Sequence, residues 1–241
     1  MVPNRILQAM REKRKALGVR LTFPSPEVVD ILGTAGLDFV FVDYEHGVFD
    51  LPSVENICRA ADLVGLTPIA RTQDISDGAV THLVDRGIWG IIGPHIETRA
   101  DAQQLVRACR FGPIGRRSFG GGRGTKYQTN MADMPSFLAA CNANMLVGAM
   151  IESTRAIDNL DEILSVEGID YFMFGPADFA QDMGFAGQLK HPAVLEAVEK
   201  ATARIHAAGK PMREDIMVVA NARELLAEGA AAFVAKHRPK R

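Results

Sequence analysis

The sequence predicts a single (β/α)8 TIM barrel of the α/β class, spanning residues 1–241. Three observations lead there. Eight short apolar runs, often β-branched, read as strands: 19–23, 38–43, 67–71, 89–93, 145–152, 170–175, 210–212 and 231–235. Between most of them lie segments with apolar residues at i, i+3 and i+4, the pattern of a helix with one buried face. The strands are almost continuously apolar, as in a parallel sheet covered on both sides. Eight such units suit a barrel of this length. A doubly wound open sheet is the rival, and no GxGxxG follows the first strand to support it.

The opening MVPNRILQAMREKRKALG is polar with scattered Ile, Leu and Met, and reads as an amphipathic N-terminal helix rather than a signal peptide. Pro24 and Pro26 stand where the first strand should pass into a helix, a position that suits proline. PEVVDILGTAG, SVENICRAADLVG, GAVTHLVDRG, ADAQQLVRACR and HPAVLEAVEKATARIHAAG carry the helical spacing. Gly36, Gly65, Gly87, Gly209 and Gly229 fall where helices should end. The stretch 111–135, rich in Gly and Arg, breaks the rhythm and reads as a long loop.

Composition narrows the function classes. With 47% hydrophobic residues the chain can bury one substantial core. A formal net charge of -2 gives no electrostatic footprint for nucleic acid, and the basic end from Lys236 to Arg241 reads as solvated. No apolar run reaches the ~20 residues of a membrane helix. Cys58, Cys109 and Cys141 form no CxxC or zinc spacing and fit a reducing cytoplasm.

The polar residues of interest fall at strand C-termini: Arg20 in the first; Asp43, Glu45 and His46 after the second; Arg71 ending the third; His95 after the fourth; Glu152 ending the fifth; Asp178 after the sixth; Arg213, Glu214 and Asp215 after the seventh. In a barrel these ends share one face, where active sites are built. Two carboxylates on neighbouring strands, Glu152 and Asp178, can hold Mg²⁺ or Mn²⁺ with positions left open for substrate. A 2-oxoacid offers carboxylate and keto oxygens to such an ion. Arg71 can stabilise a developing oxyanion, and His46 is the natural general base.

Each residue also has a plainer reading. Glu152 can pair with an arginine, Asp178 can cap a helix, His46 can be a bonded loop histidine, and Arg71 can be a structural partner of Asp43. His95 reads as structural. Arg116, Arg117 and Arg123, with Gly120, Gly121 and Gly122, read either as an anion-binding loop or as a solvated one.

Taken jointly, AGLDFVFVDYEHGVFD, TPIART, LVDRGIWGIIGPHIET, RFGPIGRRSFGGGRG, IESTRAIDNLDEILSVEGIDYFMFGPADFAQDMG and HPAVLEAVEKATARIHAAGKP resemble the HpcH/HpaI aldolase family over nearly the whole chain. The resemblance implies a metal-dependent class II aldolase that cleaves 4-hydroxy-2-oxoacids to pyruvate, or a related 2-oxoacid, and an aldehyde. Oxaloacetate decarboxylation is an implied side activity. It implies a divalent ion, Mg²⁺ or Mn²⁺ with Co²⁺ a further option, on Glu152 and Asp178. His46 becomes the base, and Arg71, steadied by Asp43, holds the oxyanion side of the substrate. Backbone around Gly175, Pro176 and Ala177 lines the pyruvate pocket. Asp85 matches the acid that pairs with the family's histidine; because it precedes the fourth strand, it is expected to reach a neighbouring subunit's site in a homo-oligomer, a hexamer by family pattern.

The chain also departs from the pattern. Met150 stands where many members have Gln, Arg20 where many have Trp, and MREDI follows the seventh strand in place of GIL. The helix expected after the eighth strand is missing or shortened. A citrate-lyase-like acyl-CoA lyase and a non-catalytic 2-oxoacid-binding barrel are the alternatives.

Overall fold

A computed structural model describes residues 2–129 and 133–238. The elements run α1 (Arg5–Arg11), β1 (Ala16–Leu21), α2 (Pro26–Gly33), β2 (Phe39–Asp43), α3 (Leu51–Val64), β3 (Thr67–Arg71), α4 (Asp77–Asp85), β4 (Gly90–Gly93) and α5 (Arg99–Cys109). A short 3₁₀ segment (Arg123–Gln128) follows, then α6 (Met134–Asn144), β5 (Leu146–Ile151), α7 (Thr154–Asp158), α8 (Leu160–Leu164), β6 (Tyr171–Phe174), α9 (Pro176–Asp182), α10 (Pro192–Ala207), α11 (Arg213–Ile216), β7 (Met217–Asn221) and α12 (Ala222–His237). Pro26 occupies the first turn of α2 behind the Ser25 cap, and Gly36, Gly65, Gly87 and Gly209 all take the positive φ expected at helix ends.

All strand pairs are parallel, in the order β6-β5-β4-β3-β2-β1-β7. Laid flat, the six steps between β6 and β7 would separate them by roughly 29 Å. Yet both touch α11, a single turn about 6 Å long. The sheet therefore curls until its two ends are one short helix apart.

Alternate residues sort onto two faces. Val19, Leu21, Val40, Val42, Ala70, Ile91, Val147 and Ile151 pack outward under the helices, against residues such as Val29, Ile57, Leu83, Leu105 and Ile163. Ala16, Phe39, Phe41, Ile69, Ile92, Met150, Tyr171, Met173 and Met217 meet inside the curl. Glycines make room there: a β-carbon at Gly18 would overlap the Phe39 ring, and one at Gly148 the Tyr171 ring. These large–small pairs across neighbouring strands let the rings pack closely in the interior.

One mouth of the curl is closed. Ile6 and Ala9 of α1 enter the inner cluster. Asn4 caps α1, accepting from the amides of Ile6 and Leu7. Its amide group also donates to the carbonyls of Trp89 and Asn144, just before β4 and β5. Arg5 N–H donates to Thr67 at the start of β3. The N-terminal ends of the strands are thus sealed, and chemistry is confined to the other end.

Several expectations require correction. Among the described residues seven strands form, so the eight-stranded barrel is not reproduced strand for strand. The expected seventh strand, 210–212, is reduced to one bridge between Met212 and Phe172, because Asp215 accepts from the Met212 N–H and winds MREDI into α11. The expected eighth strand, 231–235, lies inside α12; the place beside β1 is taken by Met217–Asn221. Ala-rich ARELLAEGAAAFVA has high helix propensity, and Asn221 caps it by accepting from the Arg223 N–H, so Gly229 sits in mid-helix rather than at an end. A terminal helix is accordingly present, sixteen residues long. Of the basic end, residues 239–241 lie outside the described residues, as do 130–132 of the long loop.

Cys58, Cys109 and Cys141 are buried free thiols, and burial pushes Cys109 up to about 12. Among the described residues, no helix is long and apolar enough to cross a membrane. Asn4→Ala should lower stability by about 2 kcal/mol, since it removes a cap and strands buried carbonyls. A thermal melt should fall by roughly 4–8 °C.

Candidate active site

The open end of the curl gathers the polar strand ends. Asp43 closes β2 and Arg71 closes β3, and the parallel register sets them side by side. Arg71 donates from Nε to Asp43 Oδ1 at 3.0 Å and from Nη2 to both carboxylate oxygens at 2.8 Å. Both residues are buried. Glu45, two residues past β2, brings Oε2 to 3.0 Å from Arg71 Nε. Among the described residues, the remaining guanidinium nitrogen, Nη1, meets only the Met150 sulfur at 3.9 Å. A thioether is a weak acceptor, so Nη1 keeps hydrogen-bonding capacity to spare.

Glu152 directly follows β5 and is buried. Its Oε1 accepts from the His95 N–H at 2.6 Å and lies 3.0 Å from His95 Nδ1. Its Oε2 packs on the backbone of Gly175, where an added β-carbon would overlap it. Burial pushes the Glu152 carboxyl above the usual carboxylate range; the His95 N–H and ring oppose the shift, while the charges of Glu45 and Asp178 reinforce it. Asp178 lies in the first turn of α9 and is exposed. The Gly175 N–H is taken by the Ile151 carbonyl, and Pro176 has no N–H to give. Only the Ala177 and Asp178 amides of that turn lack helical partners.

His46 stands at the same rim. Its N–H donates to Asp43 Oδ1 at 3.3 Å, and its ring, with the side chain 64% exposed, lies 3.8 Å from Glu45 Oε2. Arg20 Nη1 is 3.8 Å from Asp43 Oδ2. It lines a cavity of about 510 Å³ with Lys15, Phe41, Arg213 and Asn221, on the β1–β7 side of the site.

Asp85 is not brought to this group. It ends α4, before β4 and so toward the sealed end, 3.8 Å from Arg117 Nη2. Arg117 is buried over the Phe111 ring at 4.6 Å, and burial lowers its pKa. Arg123 bonds Asp62. Arg117 thus ties the glycine-rich loop to α4 and Arg123 ties it to α3, and Arg116 alone of the three is exposed.

Two residues gained weight from the structure. Glu45 lies between Arg71 and the histidine rings, and His95, read from sequence as structural, touches Glu152 twice. Their positions at strand ends were the only signal available beforehand; their directions depend on the loop backbone.

Fold and site together define an α/β protein that gathers carboxylates and a buried arginine at the C-terminal ends of parallel strands. The chain belongs to the HpcH/HpaI aldolase/citrate lyase family, whose sequence model matches residues 18–236. It is 35% identical over 209 residues to a hydroxypyruvate/pyruvate aldolase of Rhizorhabdus wittichii, covering 86% of this chain and 81% of that one. It is 31% identical over 234 residues to a 5-keto-4-deoxy-D-glucarate aldolase of Shigella sonnei, covering 97% and 90%. The structure is similar to that of an HpcH/HpaI aldolase/citrate lyase family protein from Burkholderia cenocepacia, with TM-score 0.87 and 26% identity over 98% of this chain and 100% of that one.

Arg71→Met would leave Asp43 and Glu45 facing each other without their shared cation. The loss should be about 3–5 kcal/mol, read as a lower urea midpoint with an unchanged slope.

Proposed function

We propose that this enzyme is an aldolase that cleaves 4-hydroxy-2-oxoacids to pyruvate, or a related 2-oxoacid, and an aldehyde. The observation that carries the reading is one rim holding an arginine with hydrogen-bonding capacity to spare, a buried carboxylate beside a second acid, and an exposed histidine. The relatives named above are aldolases of oxoacids, which supports the same substrate class.

A divalent ion fits the donor set. Glu152 is buried next to two further carboxylates that raise its pKa, and a cation would relieve that repulsion. Among the described residues no cluster of three or more His, Cys, Asp or Glu is placed to cage a metal. Glu152 and Asp178 would therefore hold Mg²⁺, Mn²⁺ or Co²⁺ with open positions, as hard oxygen sites for Mg²⁺ do. A bound ion would supply Lewis acidity to the keto oxygen and stabilise enolate charge.

The chain's own residues do the rest. Arg71 Nη1 donates to the oxoacid, while Asp43 and Glu45 fix the guanidinium. The Ala177 and Asp178 amides face the anionic end. In the cleavage direction His46 takes the proton of the C4 hydroxyl, and the C3–C4 electron pair passes into the C2–C3 bond as the aldehyde leaves. The His46 imidazolium then returns that proton to C3, which completes the 2-oxoacid; the reverse transfer exchanges the methyl protons of pyruvate. The same enolate permits oxaloacetate decarboxylation as a side activity. Arg20 faces the β1–β7 cavity, where an anionic aldehyde would find a cation.

Asp85, which ends α4 away from this chain's own site, would serve a neighbouring copy's histidine in a homo-oligomer, a hexamer by family pattern. In a (β/α)8 layout the bridge at Met212 and the strand Met217–Asn221 would take the last two places. Buried, unpaired cysteines suit a cytoplasmic setting.

Deuterium exchange at the pyruvate methyl group, followed by NMR, tests the reading without knowledge of the aldehyde. Exchange should need Mn²⁺ or Mg²⁺, stop with EDTA, and fall 10²-fold or more in His46→Ala, the usual scale of general-base catalysis. Exchange that is indifferent to EDTA would overturn it, and cleavage of a CoA thioester in its place would point to an acyl-CoA lyase.

A further inference from the structure

His95 is held in a way that a structural loop residue does not require. It follows β4 after Pro94 and takes φ 52°, the left-handed region. That conformation costs a residue with a β-carbon on the order of 1 kcal/mol or more, although His, Asn and Asp bear it better than most. The strain has a visible result. The turned backbone aims the His95 N–H at Glu152 Oε1, 2.6 Å away, and the ring brings Nδ1 to 3.0 Å from the same oxygen. The next residue, Ile96, is tied to β5 through the Met150 carbonyl, so loop and carboxylate cannot drift apart. On its far edge the ring carries Nε2, 3.6 Å from Glu45 Oε1. The side chain is 62% exposed, so apolar burial is not what holds it there.

One residue thus meets Oε1 of Glu152 twice, its N–H donating a hydrogen bond and its ring nitrogen in ion-pair range. The other oxygen, Oε2, is pressed toward Gly175 and the β6–α9 turn. We propose that His95 is a positioning residue that differentiates the two oxygens of Glu152, anchoring Oε1 and presenting Oε2 to a divalent cation. The inference rests on the reading of Glu152 as a metal ligand. Partners of this kind typically change metal affinity 10- to 100-fold when removed.

Mn²⁺ binding to the purified enzyme, read from the EPR signal of the free ion without substrate, tests it. His95→Gly removes the ring yet is at ease at positive φ, so its thermal melt should match or exceed that of the parent. Its Mn²⁺ dissociation constant should rise about tenfold or more. His95→Asn also tolerates positive φ and keeps a side-chain donor, so it should recover much of the affinity. Glu152→Gln, the reference for a lost ligand, should bind Mn²⁺ most weakly of the set. Parent-like Mn²⁺ affinity in His95→Gly, with Glu152→Gln impaired, would overturn the role of His95 and leave the aldolase reading standing. Parent-like affinity in Glu152→Gln would remove the ligand assignment itself and the inference with it.

Discussion

The arrangement turns on the buried ion pair between Asp43 and Arg71. Parallel pairing of β2 with β3 places the two residues opposite one another at the last position of each strand. A slip of one residue would turn each side chain to the other face. A carboxylate and a guanidinium taken out of water are costly unless both are bonded almost completely. Here Asp43 receives three bonds from the guanidinium and a fourth from the His46 amide. Register, the turn that carries His46, and the direction of the guanidinium are therefore settled together. Glu45 extends the same network toward His95 and Glu152.

The rest of the molecule supports that network. Residue Asn4 and α1 cover the N-terminal ends of the strands. The large–small pairs Phe39–Gly18 and Tyr171–Gly148 fill space above them. The single turn of α11 touches both β6 and β7, and a cavity lined by Lys15, Phe41, Arg213, Met217 and Asn221 runs along β7 beside it. At the C-terminal rim charged groups can collect because water reaches their outer edges while protein supports the inner ones.

Much of this was legible in the sequence. Six strands could be placed because each is a short, almost wholly apolar run, and the helix ends could be placed because Gly36, Gly65, Gly87 and Gly209 take conformations that other residues resist. The partnership of Asp43 with Arg71, and the adjacency of Glu152 to the β6–α9 turn, followed from strand ends sharing one face. The stretch from residue 210 onward misled. There the propensity of Ala and Leu outweighs the short apolar run at 231–235, and a capping contact from Asp215 breaks the strand expected at 210–212. The contacts of His95 were out of reach for another reason. A positive φ at a non-glycine residue leaves no mark in composition or period. Asp85 could be set at the far end of its own strand by order alone, but not its neighbour Arg117, which comes from a loop thirty-odd residues onward.

Gly175 carries a consequence for redesign. One wall of the pocket beside Glu152 is main chain, not side chain, and it has no atom to trim. An engineer who wants a different aldehyde can remodel Arg20 or the exposed rim residues, whose side chains reach open space. Enlarging or reshaping the pocket from the β6 side is closed off, because any replacement at this residue adds bulk where the carboxylate already lies. The versatility of such a scaffold is therefore lopsided: one flank of the site is free to diversify, and the other is set by the backbone itself.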